Sequence, residues 1–512
     1  MHLGKTLAIN ASRIPHHEAL VCEGRRYTYR QLNEMVNRMA HGLLKCGIRK
    51  GDKISLVMTN SDYFVISYYA ILKVGGVVVP INFRLTPPEI QYILDHSDSC
   101  MVIVDADLAP GVMEAARSVP AIRKVVVAGQ PTVEGAEPWE SLLDESTEEP
   151  DVPVDESDDC EILYTSGTTG RPKGALFDHH RILYVGINVI AGLGVNPRDR
   201  LLHVAPLFHS AQLNLFLVSG TFVGATHVVM RQFHPVDVMK TIQEEKITLF
   251  FGVPTMYSYL LQVPAGTYDL RSVQRCAYGA APMAPELVKQ SMALFRTDQF
   301  YNLCGLTEAG PGGVYLPPER HLEKLGAGGI PVPNTEVRVV DEQGNDVPPG
   351  VVGEMIIRGE TVMKGYYKNP EATAETIRDG WLYTGDLAVL DEEGYLTLVD
   401  RKKDMIITGG ENVYSTEVEQ VLYAHPSVFE AAVIGLPHPV WGEMVAAVIV
   451  PKPGHGIQLN ELEAFCRQSL AGYKIPRKIF IAEQLPRNAA GKVLKYQLRQ
   501  MYKNAVLQDE IG

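Results

Sequence analysis

The sequence predicts an α/β protein, with a large layered N-terminal α/β domain over residues 1–400 and a small α+β domain over residues 401–512. Three observations carry that prediction. The chain has 512 residues, beyond the size at which a single hydrophobic core stops growing. Up to Asp400, helix-period segments alternate with short apolar runs, the order expected of layered α/β structure. After Asp400-Arg401-Lys402-Lys403 the texture changes to that of a compact α+β unit.

The elements follow in order. Thr28 and Gln31 have capping-box spacing, and Leu32, Met35, Val36, Met39, Leu43 and Leu44 recur at helical intervals until Gly47. A strand-like run from Ile54 to Met58 precedes a helix through Tyr68 to Val74, closed by Gly75-Gly76, and a second run from Val77 to Pro80. Between Asp144 and Asp159, nine of sixteen residues are acidic, with Pro150 and Pro153 among them, which predicts a solvated connector. In the C-terminal part the pattern predicts a helix capped by Thr416 and Glu419, β-rich runs at Ala431 to Ile434 and Val445 to Val450, a helix from Leu459 to Leu470, and a run from Lys478 to Ile481.

Composition excludes several function classes. With 46% apolar and 21% charged residues the chain reads as an ordinary globular protein. Its net charge of -13 argues against nucleic acid as a partner, so an anionic substrate must be received by a local site. Seven widely spaced cysteines with no CxxC pair argue against a disulfide framework or a zinc site. Neither a signal core nor an apolar run of ~18–20 residues is present, so no integral membrane segment is expected and the cytoplasm is the default compartment.

The strongest local signal is Tyr164-Thr165-Ser166-Gly167-Thr168-Thr169-Gly170-Arg171-Pro172-Lys173-Gly174, preceded by the strand-like Ile162-Leu163. Glycines let a backbone approach an anion, hydroxyls and amides donate to phosphate oxygens, and Lys173 adds positive charge. GxxxxGK[ST] fits nowhere in it, which removes the main support for a P-loop kinase or ATPase. A lone Gly/Ser/Thr-rich stretch is most often a plain turn.

This stretch resembles the signature loop of the adenylate-forming (AMP-binding) superfamily, in its acyl-CoA synthetase branch. Further motifs resemble that family in the expected order, so the resemblance spans nearly the whole chain: Pro206 to His209, Tyr278 to Pro282, Leu306-Thr307-Glu308, Tyr383 to Asp386, Asp400 to Asp404, Gly409 to Asn412, and Asn488 to Lys492. The resemblance implies an ATP-dependent acid:CoA ligase that forms an acyl-adenylate and releases AMP and pyrophosphate. It implies a nucleotide site from Thr165, Ser166, Gly167, Thr168, Thr169, Gly170 and Lys173, with Gly279, Ala280 and Ala281 on the adenine side. Thr307 would bond a phosphate oxygen and Glu308 would hold Mg²⁺, a hard ion that prefers oxygen ligands. Asp386 would accept the ribose hydroxyls and Arg401 would donate to the ribose. Lys492 would stabilise charge in adenylation, and His209 would orient the substrate carboxylate or gate the acyl channel. Lys403 is the implied hinge, and Gly409, Gly410 and Glu411 would line the coenzyme A path.

One position departs from the family pattern. Cys304 stands before Gly305 where the family usually has an aromatic residue against adenine; Tyr301 or Tyr278 are the aromatic alternatives. His209, Leu213, Val253, Tyr278, Gly279, Leu303 and Gly305 are expected to line an apolar acyl pocket without a fixed charge, suited to a medium- or long-chain fatty acid or, alternatively, a flat aryl or cinnamate-type acid. The required small molecules are the acid, ATP, Mg²⁺ and coenzyme A, with no redox cofactor; a homodimer is compatible with the resemblance. A stand-alone enzyme loading a carrier protein is the runner-up. A nicotinamide dehydrogenase lacks its GxGxxG between strand and helix, and a dead binding protein has little reason to keep Lys492, Glu308 and Asp386 together.

Overall fold

The computed structural model describes residues 1–130, 134–165, 171–264, 266–487 and 493–503. The capping box at Thr28 is formed: its hydroxyl accepts from the Gln31 N–H at 3.3 Å, and the Gln31 side chain accepts from the Thr28 N–H at 2.9 Å. Two orphan donors are thereby satisfied, and the helix Tyr29–Lys45 buries Leu32, Val36, Met39 and Leu43 along one face. The strand expected at Ile54 to Met58 is Lys53–Val57, and the one at Val77–Pro80 forms with those bounds. No helix among the described residues is long and apolar enough to cross a membrane.

The chain divides into two compact units, Met1–Val337 with Ile357–Leu382, and Arg338–Ile356 with Tyr383–Gly512. The sequence places its domain division at 400/401; the second compact unit begins at Tyr383 and takes in Arg338–Ile356 as well. Two sheets dominate the first unit. In the nine-stranded one, Thr226–Val229, Arg200–His203, Leu249–Gly252, Arg275–Gly279 and Phe300–Gly305 run parallel, and Gly313–Leu316 folds back antiparallel on the last. In the eight-stranded one, Asp159–Thr165 pairs parallel with Val77–Pro80 and antiparallel with Lys173–Asp178.

The acidic segment is more than a solvated connector. Glu149 pairs at 2.6 Å with Lys73, whose side chain is only 2% exposed, and accepts from Asn33 and Asn37. A buried ammonium needs such a partner; burial still brings the Lys73 pKa down to about 8, with Glu149 opposing the fall. Asp158 pairs with Lys50 and Asp159 with Lys364. Charge density in this stretch therefore pins the chain to the unit instead of holding it in solvent.

In the second unit, Val428–His438 and Gly442–Pro451 form a long antiparallel pair joined in parallel by Lys478–Ile481. Val433, Val445, Ala447 and Ile449 enter one apolar cluster while Ile434, Met444, Ala446 and Val448 enter another, so successive side chains fill both faces. The helix expected from Thr416 is Ser415–Tyr423, but the anticipated cap does not form. Thr416 Oγ1 instead donates to the Val399 carbonyl, and Glu419 accepts from the Val433 N–H at 2.8 Å and pairs with Lys495. Tertiary partners outcompete the local cap.

Candidate active site

In the first unit the signature loop joins two antiparallel strands whose last register pairs are Tyr164 with Gly174 and Thr165 with Lys173. Ser166, Gly167, Thr168, Thr169 and Gly170 lie outside the described residues. Around the loop's ends, Tyr164 Oη lies 2.7 Å from His96 Nδ1, and the Lys173 ammonium sits 4.6 Å from the centre of the Tyr366 ring. That cation–π contact holds a positive charge at the loop's exit.

Thr307 and Glu308 stand on a short turn after Phe300–Gly305. The Glu308 carboxylate accepts from Tyr366 Oη at 2.8 Å, with Thr165 Oγ1 at 3.5 Å from the same oxygen. Burial and the adjacent Glu308 raise the Tyr366 pKa, which keeps its hydroxyl a donor. Ser210 Oγ lies 3.2 Å from Thr307 Oγ1. A Cβ at Gly305 would meet the Pro311 and Gly312 carbonyl oxygens at 2.3 Å, so only glycine permits this turn. The structure therefore brings Thr165, Lys173, Thr307 and Glu308 together, and adds Tyr366 and Ser210.

His209 is half-buried, and desolvation lowers its pKa. Its Nδ1 accepts from the Ala211 N–H at 3.3 Å, which places the proton of the neutral ring on Nε2. The eight residues Ala211–Val218 that follow wind as a π-helix, a form that recurs at functional sites. Asn214 within it donates at 3.0 Å to Glu161, which also accepts from Tyr68 at 2.5 Å. Burial pushes Glu161 up to about 7. This contact ties the strand entering the signature loop to the segment that follows His209.

An apolar pocket lies between the two arms of the hairpin Phe300–Gly305 and Gly313–Leu316 and the helix His179–Leu193. Leu303 and Cys304 line it from one arm, Val314 and Tyr315 from the other, and the turn joining them carries Thr307 and Glu308. No lining residue is charged. Of the residues expected for an acyl pocket, Leu303 lines this one. Tyr278 does not. It shares a core cluster with Cys276 and Phe300, whereas Ala277, Tyr301 and Leu303 face the cluster around the pocket. Strand alternation sends Tyr278 to the opposite face, where its hydroxyl is 2.9 Å from His321 Nε2. Leu213 is fully buried, Val253 precedes the helix Pro254–Leu260, and Gly279 ends its strand with Ala280 at φ +66° beyond it. A Cβ at Gly279 would lie 2.4 Å from the Leu303 carbonyl oxygen. Ala280 and Ala281 are exposed.

In the second unit, Asp386 and Arg401 are register partners across a hairpin, with Arg401 Nε 2.6 Å from Asp386 Oδ1. Asp386 is 7% exposed. Lys403 is exposed in the turn that follows. Gly409 and Gly410, at φ +60° and +86°, make the two-residue turn between Ile406–Thr408 and Glu411–Val413, and Glu411 is exposed. Two consecutive positive φ values suit a tight hairpin and favour glycine at both places. Lys492 lies outside the described residues.

Residues 7–367 match the AMP-binding enzyme family and residues 417–492 match the C-terminal domain of AMP-binding enzymes. The chain belongs to the AMP-binding enzyme family. Among its relatives, a feruloyl-CoA synthase of an Amycolatopsis species is 39% identical over 98% of this chain and 99% of its own length. The long-chain-fatty-acid–CoA ligase FadD13 of Mycobacterium tuberculosis is 38% identical over 94% of each. The anthranilate CoA ligase AuaEII in complex with anthranoyl-AMP has a similar structure, with a TM-score of 0.92 and 29% identity over 99% of this chain and 98% of its own.

Tyr366 and Ser210 went unnoticed in sequence because neither stands in a motif; Tyr366 reaches Glu308 from 58 residues away. Asn188 and Thr361, both buried, also line the pocket. Asn188 was findable as the polar residue between Val185, Val189 and Leu193 at helical spacing.

Proposed function

We propose that this chain is an AMP-forming acid:CoA ligase acting through an acyl-adenylate on a monocarboxylic acid with an apolar body. The observation that carries the reading is the uncharged pocket whose two strand walls are joined by the Thr307–Glu308 turn. An acid lying between the face of this hairpin and the helix presents its carboxylate toward that turn, with no basic side chain among the lining residues to pair a second carboxylate. Membership of the AMP-binding enzyme family and similarity to coenzyme A ligases support the same conclusion.

The acid's carboxylate attacks the α-phosphorus of ATP and expels pyrophosphate; the coenzyme A thiol then attacks the carbonyl of the adenylate and expels AMP. Bringing two anions together requires cations and donors aimed at the charge that develops. Lys173 and the signature loop receive the phosphates, Thr307 donates to a phosphate oxygen, and the neutral His209 ring donates its proton toward the substrate carboxylate. Glu308, with the Tyr366 and Thr165 hydroxyls beside it, offers hard oxygen atoms that suit Mg²⁺. Once bound, Mg²⁺ neutralises phosphate charge. Asp386 and Arg401 hold the ribose, Lys492 acts in adenylation, and Gly409, Gly410 and Glu411 flank the pantetheine arm in thioester formation.

The test mixes the protein with ATP, Mg²⁺ and an acid panel, with either coenzyme A or a phosphopantetheinylated carrier protein as acceptor. Thioester on coenzyme A, accompanied by equal AMP and pyrophosphate, is the expected result. Transfer to the carrier alone contradicts the ligase reading in favour of carrier loading.

A further inference from the structure

Tyr366 is fixed by its backbone to both of the motifs it stands between. Its strand, Gly365–Tyr366, pairs antiparallel with Lys173–Asp178, with Tyr366 opposite Ala175, and the N–H of Tyr367 donates to the Gly174 carbonyl at 2.8 Å. Three residues before Tyr366, the Met363 N–H donates to the Glu308 carbonyl at 2.8 Å. The Tyr366 N–H itself donates to Thr373 Oγ1 at 2.9 Å. A Cβ at Gly365 would lie 2.8 Å from Thr373 Cγ2, so glycine lets these two segments close on each other. With the backbone held this way and the residue 9% exposed, the phenol has one place to be.

Two opposite charges meet this one side chain. Lys173 is two residues from Ala175 and so shares a face of the strand pair with Tyr366; its ammonium lies 4.6 Å from the ring centre. The phenol hydroxyl donates to Glu308 Oε1 at 2.8 Å, and Thr165 Oγ1 is 3.5 Å from that same oxygen. Both hydroxyls address Oε1, and among the described residues none donates to Oε2. The ammonium is taken up by the ring and the carboxylate by the hydroxyl, and among the described residues the two charges do not pair with each other. Without the phenol they attract one another, and a direct pair would occupy the groups that phosphate and metal require. We propose that Tyr366 is a positioning residue that keeps Lys173 and Glu308 apart, its ring holding the ammonium for the phosphates of ATP and its hydroxyl fixing one carboxylate oxygen so that the other is left for Mg²⁺. This rests on the reading of Lys173 as a phosphate contact and of Glu308 as the holder of Mg²⁺. A carboxylate bonded through one oxygen keeps the lone pairs of the other for a hard cation.

The two tasks lie on different parts of one side chain, so substitution separates them. Phenylalanine keeps the ring and loses the hydroxyl; leucine loses both. The experiment measures the Kd of ATP by calorimetry, without metal and with Mg²⁺, for the parent, Tyr366→Phe, Tyr366→Leu, Lys173→Met, and Tyr366→Leu combined with Lys173→Met. The parent should bind ATP more tightly with Mg²⁺. Tyr366→Phe should keep the metal-free Kd within about twofold and lose about tenfold of the tightening with Mg²⁺, the scale of a hydrogen bond to a charged group. Tyr366→Leu should also weaken metal-free binding by about fivefold, the scale of one cation–π contact, and that loss should vanish in the Lys173→Met background. Should Tyr366→Leu fail to fold, Tyr366→Phe still tests the hydroxyl. Equal weakening of both Kd values by Tyr366→Phe overturns the proposal, as does no change in either, or a metal-free loss from Tyr366→Leu that persists without Lys173. A parent that binds ATP equally with and without Mg²⁺ sinks the metal reading of Glu308, and a parent that binds no ATP sinks the nucleotide site itself.

Discussion

Replacing Lys492 with alanine is expected to lower acid-dependent ATP–pyrophosphate exchange by about two decades or more, while conversion of supplied acyl-AMP and coenzyme A to thioester continues. The expected size is that of deleting one preorganised donor to transition-state charge. The asymmetry follows from where charge develops. In adenylation a carboxylate and a triphosphate converge, and the pentavalent phosphorus centre gathers negative charge that an ammonium relieves. In thioester formation the leaving group is AMP, the pyrophosphate has gone, and that demand falls. Lysine 492 stands in Asn488-Ala489-Ala490-Gly491-Lys492, where a lone lysine would ordinarily be solvated, and the two half-reactions separate these readings. Equal loss in both refutes the division of labour; no loss in either makes Lys492 a surface charge.

Lys403→Pro is expected to do the converse, keeping acid-dependent pyrophosphate exchange and lowering thioester formation from supplied acyl-AMP by about 10²-fold, the scale of a misplaced reacting group. If Lys492 serves the first step and the Gly409-Gly410 turn the second, both cannot fill the same space at once, and the small domain must rotate between steps. Few backbone dihedrals need absorb such a rotation, and proline fixes one of them, with φ near about -65°. In the structure the Lys402 N–H donates to Gly385 at 2.9 Å, and the Asp404 and Met405 N–H groups donate to Arg401 at 2.8 and 3.0 Å. Proline at 403 removes none of these three bonds, so the variant is expected to fold. Survival of both half-reactions places the pivot elsewhere.

What the sequence made legible follows the range of the interactions involved. The Thr28 capping box spans three residues, and the strand at Val77–Pro80 is a run of consecutive apolar residues; both were readable because their causes are local. Motifs located Thr165, Lys173, Thr307 and Glu308, which the fold gathers in one unit, and Asp386 with Arg401, which it pairs in the other. Longer-range partners were not readable. Glu149 looked solvated because Lys73, its buried partner, lies 76 residues away. Thr416 and Glu419 had the spacing of a cap but found Val399 and Val433 instead. The face on which Tyr278 lies was not readable either. Its neighbours along the strand alternate between two clusters, and a motif names a residue without saying which face of the sheet it points to.

The central claim is that the acid's own oxygen bonds to the α-phosphorus before coenzyme A attacks, and the fate of that oxygen tests it most directly. An acid carrying oxygen-18 in both carboxylate positions is incubated with the protein, Mg²⁺, ATP and coenzyme A, and the nucleotide product is weighed by mass spectrometry. Attack at the α-phosphorus makes one labelled oxygen the bridge of the adenylate, and thiol displacement cleaves the bond between that oxygen and the acyl carbon. The account predicts AMP with one heavy oxygen and a thioester carbonyl that keeps the other. Unlabelled AMP, or ADP and phosphate in place of AMP and pyrophosphate, would contradict it.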